Sequence, residues 1–469
     1  MKNKKMLKTN KTIFALSTFY GQSAIAVTRL SGPGCYEIAK SISGLKQLKA
    51  RYCYFCKLKD KNGDVYDEGL IIYFKSPHSF TGEDVLEIQT HGGIAIINKL
   101  MKELAKFPNV HPAEAGEFSK RSFFNNKRDI FYYEGINNLI KAESESQLRI
   151  ANKQAFNKKK NPCSSWKEKL IELKAYLNAK IEFGDDLSDM NLDKFSNKMI
   201  SDVKADLYES IEKFKFVNKI FHGHKILVIG PPNTGKSSVI NFLFQDEKSI
   251  TSRFEGTTTD QIEYNLLLEK EKVILIDSAG VRDSRNLIEK KGIKKTLNSV
   301  EEISNFILVI SPESSKKKTI QDLNDLLGKM VDKNIAIIFN KTDIKNSQIE
   351  FEKIKERMNL KTRYKIFRLS CKNDNNNSKV LKRLQKFITK NLIKSEHVYE
   401  NELFFSEIRQ QERLKRVYSC LESCEESLGE LEIATDFVLQ AIGELDNVLG
   451  KHDNDQELGI IFKNFCIGK

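Results

Sequence analysis

The segment Gly230-Pro231-Pro232-Asn233-Thr234-Gly235-Lys236-Ser237 carries the clearest chemistry in this chain. It follows the apolar run Ile226 to Ile229 and precedes the helical run Val239 to Phe244, the strand-loop-helix context in which a glycine-rich turn cradles phosphates. Glycine lets backbone NH groups approach phosphate oxygens, and the helix N-terminus adds positive potential. Lys236 would bridge the β- and γ-phosphates, Ser237 would ligate Mg²⁺, and Thr234, Gly235 and Ser238 would line the nucleotide.

Further segments fall in register with this loop. Asp277 ends the apolar run Val273 to Ile276, where its carboxylate reaches the metal shell, and Gly280 follows with an NH facing the γ-phosphate. Asn340-Lys341-Thr342-Asp343 closes the run Ile335 to Phe339, and a carboxylate at Asp343 can accept hydrogen bonds from both N1–H and the amino group of guanine. Adenine offers no such pair and would leave the carboxylate unmatched, so the base expected is guanine. Ser370-Cys371-Lys372 stands where a guanine-supporting loop belongs, and Thr257 and Thr258 lie where a switch segment would present a hydroxyl to Mg²⁺. Val281 follows Gly280 in place of the glutamine that many GTPases use to orient water, and no arginine finger is legible. Asn233 is a candidate cation ligand, and Glu289 a carboxylate downstream of the switch.

The elements that must position these groups change character along the chain. From Thr12 to about Lys127, short β-type runs (Ala24 to Leu30, Gly69 to Phe74, Val85 to Gln89) are broken by turns such as Ser31-Gly32-Pro33-Gly34, which predicts an α+β domain over 1–127. Over 128–220 the period is helical: Leu170, Leu173, Leu177 and Ile181 share one face, as do Val203, Leu207, Ile211 and Phe214. Over 221–392, apolar runs alternate with helical segments, which predicts a mostly parallel sheet covered on both faces. The helical period returns over 393–469 through Leu414, Val417 and Leu421, then Phe437, Ala441 and Leu445. The fold class expected is multidomain, α+β and α/β, with the α/β domain inserted into a helical one.

At 469 residues, roughly three domains are expected. No stretch approaches the roughly 18 consecutive apolar residues of a membrane span, and Met1 to Lys11 is lysine-rich with no long apolar run behind it. Eight scattered cysteines in so large a chain are expected as reduced thiols, so a soluble cytoplasmic protein is expected. Cys53 and Cys56 form a CxxC without a second pair or nearby histidine, which favours two strand residues over a zinc site. A net charge of +14 suits a polyanionic partner, although runs such as Lys158 to Lys160 and Lys316 to Lys318 read more simply as solvated faces.

The nucleotide motifs alone fit many translation and ribosome-assembly GTPases, and other segments decide among them. Thr12-Ile13, Arg29-Leu30-Ser31-Gly32, Phe80-Thr81-Gly82-Glu83-Asp84-Val85-Leu86-Glu87, His91-Gly92-Gly93, Gly116-Glu117-Phe118-Ser119 with Lys127, and Phe465-Cys466-Ile467-Gly468-Lys469 together resemble the MnmE (TrmE) family over nearly the whole chain. The resemblance implies an N-terminal domain that dimerises and binds a one-carbon tetrahydrofolate, a helical domain, and an inserted G domain. It implies a potassium-activated GTPase that acts as a homodimer with an FAD-containing partner, MnmG, on carbon 5 of the wobble uridine of certain tRNAs.

Carried over by motif, Arg29, Glu87, Lys127 and Lys469 resemble the folate site. Asn233 resembles a potassium ligand, aided by backbone around Ser252 and Phe254 and by Thr257, while Thr258 joins Ser237 at magnesium. Glu289, opening Glu289-Lys290-Lys291-Gly292-Ile293, resembles the residue that orients water. Three departures stand out: Tyr20-Gly21-Gln22-Ser23 replaces a more glycine-rich loop, Thr259 an arginine, and Ser278 a threonine. Cys466 is expected to be a small packed residue rather than a reactive thiol. The competing reading, an RNA-binding ribosome-assembly switch, has no need of the folate-like set or of the Phe465 to Lys469 segment. A structural dimer with a decayed nucleotide site is disfavoured because all five G elements retain their key side chains.

Overall fold

The computed structural model describes residues 10–156, 161–183, 192–244, 253–254, 262–277, 303–330, 333–360, 364–372, 377–393, 405–451, 455–463, 465 and 468. In chain order the first elements are β1 (Thr12–Leu16), β2 (Ser23–Ser31), α1 (Cys35–Ser43), β3 (Cys53–Lys59), β4 (Val65–Phe74), β5 (Val85–Gly92), α2 (Ile94–Leu104), β6 (Val110–Pro112) and α3 (Glu117–Phe124). Helices α4 (Ile130–Lys141), α5 (Glu145–Phe156), α6 (Pro162–Phe183) and α7 (Leu192–His222) follow. Then come β7 (His224–Ile229), α8 (Lys236–Leu243), β8 (Arg253–Phe254), β9 (Ile262–Leu268), β10 (Glu271–Asp277), β11 (Asn305–Ile310), α9 (Lys317–Gly328), β12 (Asn334–Phe339), α10 (Ser347–Arg357), β13 (Tyr364–Arg368) and α11 (Asn377–Phe387). The chain ends in α12 (Ile408–Glu426), α13 (Leu431–Val448) and α14 (Asp455–Lys463). Among the described residues, no helix is long and apolar enough to cross a membrane.

The chain divides into two compact units, one of residues 1–140, 152–209 and 408–469, the other of 141–151 and 210–407. The first holds a six-stranded sheet in the order β3-β4-β5-β2-β1-β6, in which only the β1–β6 pair is parallel. One face is packed by Leu30, Ile38, Leu86, Ile88 and Leu100 with α1 and α2. On the other face, Arg29 and Glu87 stand directly opposite each other across β2 and β5. Cys53 and Cys56 are both on β3. Three residues apart on a strand, their side chains leave opposite faces and cannot converge on one ion.

The same unit contains a helical layer built on α6, α12 and α13. Leu170, Leu173 and Leu177 of α6, Leu414, Val417 and Leu421 of α12, and Val438, Ala441 and Leu445 of α13 are all buried. Two sequence expectations shift here. Ile181, in the last turn of α6, is 39% exposed, and on α13 the buried seam takes Val438 where Phe437 was expected. Phe437 is half-buried at the seam's edge.

The second unit is a seven-stranded sheet in the order β13-β12-β11-β7-β10-β9-β8. Strands β7, β10, β11, β12 and β13 run parallel, and β9 and β8 are added antiparallel. Ile226 and Val228 of β7 enter one apolar cluster with Val239 and Leu384, and Leu227 and Ile229 enter the other with Phe306, Leu323 and Phe351. Burial on both faces is why these strands read as continuous apolar runs rather than alternating ones. At the base of this sheet Ser146 of α5 donates to Glu271, 2.7 Å away.

In the first unit, a buried ion pair ties helices far apart in sequence: Glu134 of α4, 3% exposed at its side chain, meets Arg409 Nη2 of α12 at 2.8 Å. Gln410 Nε2 donates to the second carboxylate oxygen at 2.5 Å, and Arg409 also donates to the Asn447 carbonyl. Removing the cation would strand a buried carboxylate, which in a fully buried pair costs about 3–5 kcal/mol. Because Arg409 stays 22% exposed, Arg409→Ala should destabilise the helical layer by less, about 2–3 kcal/mol. The sole tryptophan, Trp166 of α6, is buried in the same layer and reports it by fluorescence in urea. A midpoint equal to the parent's would show that Glu134 needs no cation.

Candidate functional site

Strand β7 lies between β11 and β10, so the loop after Ile229 leaves the middle of the parallel sheet at the strands' C-terminal edge, where ligands bind in open α/β sheets. The loop enters α8 through Gly235, whose φ is 90°. A Cβ there would stand 2.3 Å from Asn340 Nδ2, so both conformation and space require glycine. The first NH groups of α8 have no side-chain cap, which leaves them able to face an anion.

Lys236 is 8% exposed and donates to the carbonyls of Gly230 at 2.9 Å and Pro231 at 3.0 Å. Burial holds its ammonium below the usual lysine range, with Asp277 opposing. An amine whose hydrogen bonds go to two neutral loop carbonyls can exchange them for the oxygens of an anion. Ser237 Oγ donates to Asp277 Oδ2 at 3.1 Å, and Asp277 is 3% exposed. A hydroxyl and a carboxylate so joined are the hard oxygen donors that suit Mg²⁺. Thr234 Oγ1 closes the loop on the Pro231 carbonyl at 2.9 Å, Asn233 takes a left-handed φ of 59° and is exposed, and Ser238 is exposed on α8.

The second half of the site hangs on Asn340, 2% exposed at the end of β12. Its Nδ2 donates to the Thr234 carbonyl at 2.9 Å, and its Oδ1 accepts the Cys371 NH at 3.4 Å, so one amide links the phosphate loop to the loop after β13. Asp343 is exposed and accepts the Ser370 hydroxyl at 2.5 Å. That bond, then the backbone and Lys372 and Lys341, holds its carboxyl below the usual carboxylate range. Lys341, at φ 64°, reaches Glu313 at 3.1 Å. Sequence reasoning assigned the Ser370 loop but not the hydroxyl bond, and it missed Glu313 altogether, for which no local pattern gives a signal.

In the other unit, Arg29 reaches Glu87 Oε1 with Nε at 3.0 Å and Nη2 at 2.7 Å. Its Nη1 donates to the carbonyl of Gly468 at 3.2 Å, and its guanidinium lies 5.8 Å from the Phe80 ring centroid. Gly468 has φ 93°, and a Cβ there would stand 2.8 Å from the Leu16 carbonyl. Lys127 Nζ donates to Pro77 at 2.7 Å and its Cδ packs against Gly82, so the segment from Pro77 to Gly82 carries contacts to both Arg29 and Lys127. Behind it, Arg121, 5% exposed, joins Glu83 at 3.1 Å and Glu117 at 2.9 Å. Phe80 and Arg121 lie inside or beside recognised motifs, but only the fold shows what they touch. In the variant loop Tyr20 donates to Asn98 at 3.3 Å, and Phe19 is 89% exposed.

Several expected residues lie outside the described ones: Ser252, Thr257, Thr258, Thr259, Ser278, Gly280, Val281, Glu289, Cys466 and Lys469. Phe254 is described in its backbone, as part of β8 paired with β9.

A family model for the GTP-binding protein TrmE N-terminus matches residues 12–127, and one for the MnmE helical domain matches 132–466. A tRNA modification GTPase MnmE of Rickettsia canadensis is 36% identical over 465 residues, covering 98% of this chain and 100% of that one. Its counterpart in Rickettsia bellii is 34% identical over 471 residues with the same coverage. Among solved structures, the G domain of the T. maritima FeoB iron transporter aligns over 35% of this chain and 99% of its own, at 18% identity and a TM-score of 0.24.

Gly235→Ala should lower nucleoside triphosphate affinity about tenfold or more, since the left-handed backbone alone adds roughly 1–3 kcal/mol of strain for a residue with a Cβ. Calorimetry on a variant with parental circular dichroism measures this. Undiminished affinity would mean that phosphates do not approach this loop.

Proposed function

The chain belongs to the MnmE family of tRNA modification GTPases, and from that premise we propose that it hydrolyses GTP under potassium activation and modifies carbon 5 of the wobble uridine of certain tRNAs. In this reading it works in the cytoplasm as a homodimer with an FAD-containing MnmG-type partner and a one-carbon tetrahydrofolate. Residues 1–127 form the dimerising, folate-binding domain, 221–392 the G domain, and 128–220 with 393–469 the helical domain. The observation that carries the GTPase half is the Ser370–Asp343 bond beside the phosphate loop. A hydroxyl that keeps the carboxylate ionised readies it for guanine's paired donors, and an adenine base would leave it unmatched at about 1–3 kcal/mol.

The roles of Lys236, Ser237 and Asp277 follow from their chemistry, and those of the potassium, water-orienting and folate residues from the family resemblance. Lys236 leaves the Gly230 and Pro231 carbonyls to span the β- and γ-phosphates. Ser237, Asp277 and Thr258 hold or orient Mg²⁺, which would draw charge from the phosphate oxygens. Asn233, Thr257 and the backbone of Ser252 and Phe254 hold K⁺, standing in for an arginine finger, and Glu289 orients the attacking water where Val281 cannot. Arg29, Glu87, Lys127 and Lys469 bind the folate. Support for that site comes from Arg29 and Glu87 meeting on one sheet face with Gly468 against them.

Single-turnover hydrolysis at matched ionic strength should be slow in Na⁺ and faster by roughly tenfold or more in K⁺, on the pattern of a finger's charge. Asn233→Ala should remove most of that rise while GTP binding persists. Equal rates in the two salts would end the potassium assignment. The tRNA half is tested separately: deleting the gene should remove a C5-substituted wobble uridine from nucleosides of total tRNA. An unchanged nucleoside profile with altered ribosome assembly would instead support an RNA-binding assembly switch.

A further inference from the structure

Helix α11 packs on the sheet through Leu381 and Leu384, and a π-helical turn, Ile388–Leu392, continues the buried side with Ile388 and Leu392. The opposite side carries Lys379, Lys382, Arg383, Lys386 and Lys390, all exposed. At 100° per residue the four on α11 fall within an arc of roughly 100° and extend over roughly 10 Å, and Lys390 follows on the π-helical turn. No Asp or Glu occurs between Asn375 and Ser395. Among the described residues, none of the five has an acidic partner. Beside the stripe, on edge strand β13, Lys365 Nζ lies 5.6 Å from the Phe387 ring centroid and 5.8 Å from that of Phe367.

A lysine-rich composition does not account for this pattern. The chain has 77 basic and 63 acidic residues, and the preceding surface helix α10, on the other face of the sheet, pairs Lys353 with Glu350 and Lys355 with Glu352. Along α11 the cations stand three and four apart, the spacings at which like charges repel on a helix. Their repulsion is unrelieved within the described fold, and a line of phosphates would relieve it.

We propose that this cationic face of α11 is a docking surface for the phosphate backbone of RNA, and specifically of the tRNA that the proposed function requires. The proposal rests on that reading for the identity of the polyanion, while the stripe itself is read from charge complementarity. Each Lys or Arg set against a phosphate releases counterion, so the surface would supply affinity and orientation without reading sequence.

The test uses the full chain and deacylated bulk tRNA, with affinity followed against salt. Combined Lys382→Ala, Arg383→Ala and Lys386→Ala should weaken binding about tenfold or more near physiological salt and flatten the log–log salt slope by about 2–3, roughly one per lost phosphate. The GTP hydrolysis rate should match the parent's, which also certifies folding. Combined Lys316→Ala, Lys317→Ala and Lys318→Ala removes the same charge from another exposed run and should change binding far less. Equal losses from the two triple variants would overturn the proposal in favour of net charge alone. An unchanged α11 variant with a parent that binds tRNA would overturn the stripe and leave the tRNA reading intact. A parent that binds no tRNA would overturn both. Loss of binding confined to phosphatidylglycerol vesicles would reassign the face to a membrane and likewise overturn it.

Discussion

Burial of β7 on both faces is the constraint from which the nucleotide half of this molecule follows. A strand whose neighbours in sequence enter opposite apolar clusters must sit inside a covered sheet, and in a parallel sheet all its partners end at the same edge. Loops bearing Lys236, Asp277, Asn340 and Ser370 therefore arrive together although up to 134 residues separate them, 370 less 236. Asn340 then joins two of these loops by a single amide. The bond to the buried Thr234 carbonyl is worth more than a surface hydrogen bond, because a buried backbone group left without its partner keeps its full desolvation cost.

The first unit solves a different problem. Its sheet is covered by α1 and α2 on one face, while the other is packed by Phe118 of α3 over Ile13 and Ala15 and elsewhere presents half-buried polar side chains, Arg29 and Glu87 among them. Around them the segment from Pro77 to Gly82 is held from behind by Arg121, whose guanidinium is divided between two carboxylates. This buried network orders the backbone that touches Arg29 and Lys127, so the charge on the open face is carried by a rigid mount.

Much of this was legible from sequence wherever a local pattern carries the physics. The strands of the second unit announce themselves as unbroken apolar runs, and the phosphate loop does so through glycines at fixed spacing between a strand and a helix. Helix faces were readable from period to within a residue: Leu170 and Leu173 lie where expected, whereas Val438 displaces Phe437 because small rotations of a helix are settled by its neighbours. What escaped were pairings across the fold. Ser370 with Asp343, Glu313 with Lys341 and Glu134 with Arg409 each join polar residues whose own neighbours in sequence look ordinary. Such contacts obey geometry set by the whole sheet or bundle and leave no periodic trace.

The bond from Arg29 to the carbonyl of Gly468 spans 439 positions. A ribosome adding about 5–20 residues each second takes roughly 20 to 90 seconds to cover that interval. For most of that time, once Glu87 has been made, the nascent sheet can pair Arg29 with Glu87 but lacks the Gly468 carbonyl that accepts from the same guanidinium. Assembly of this face is thus timed by synthesis itself: the arginine waits on its glutamate until the Gly468 carbonyl arrives.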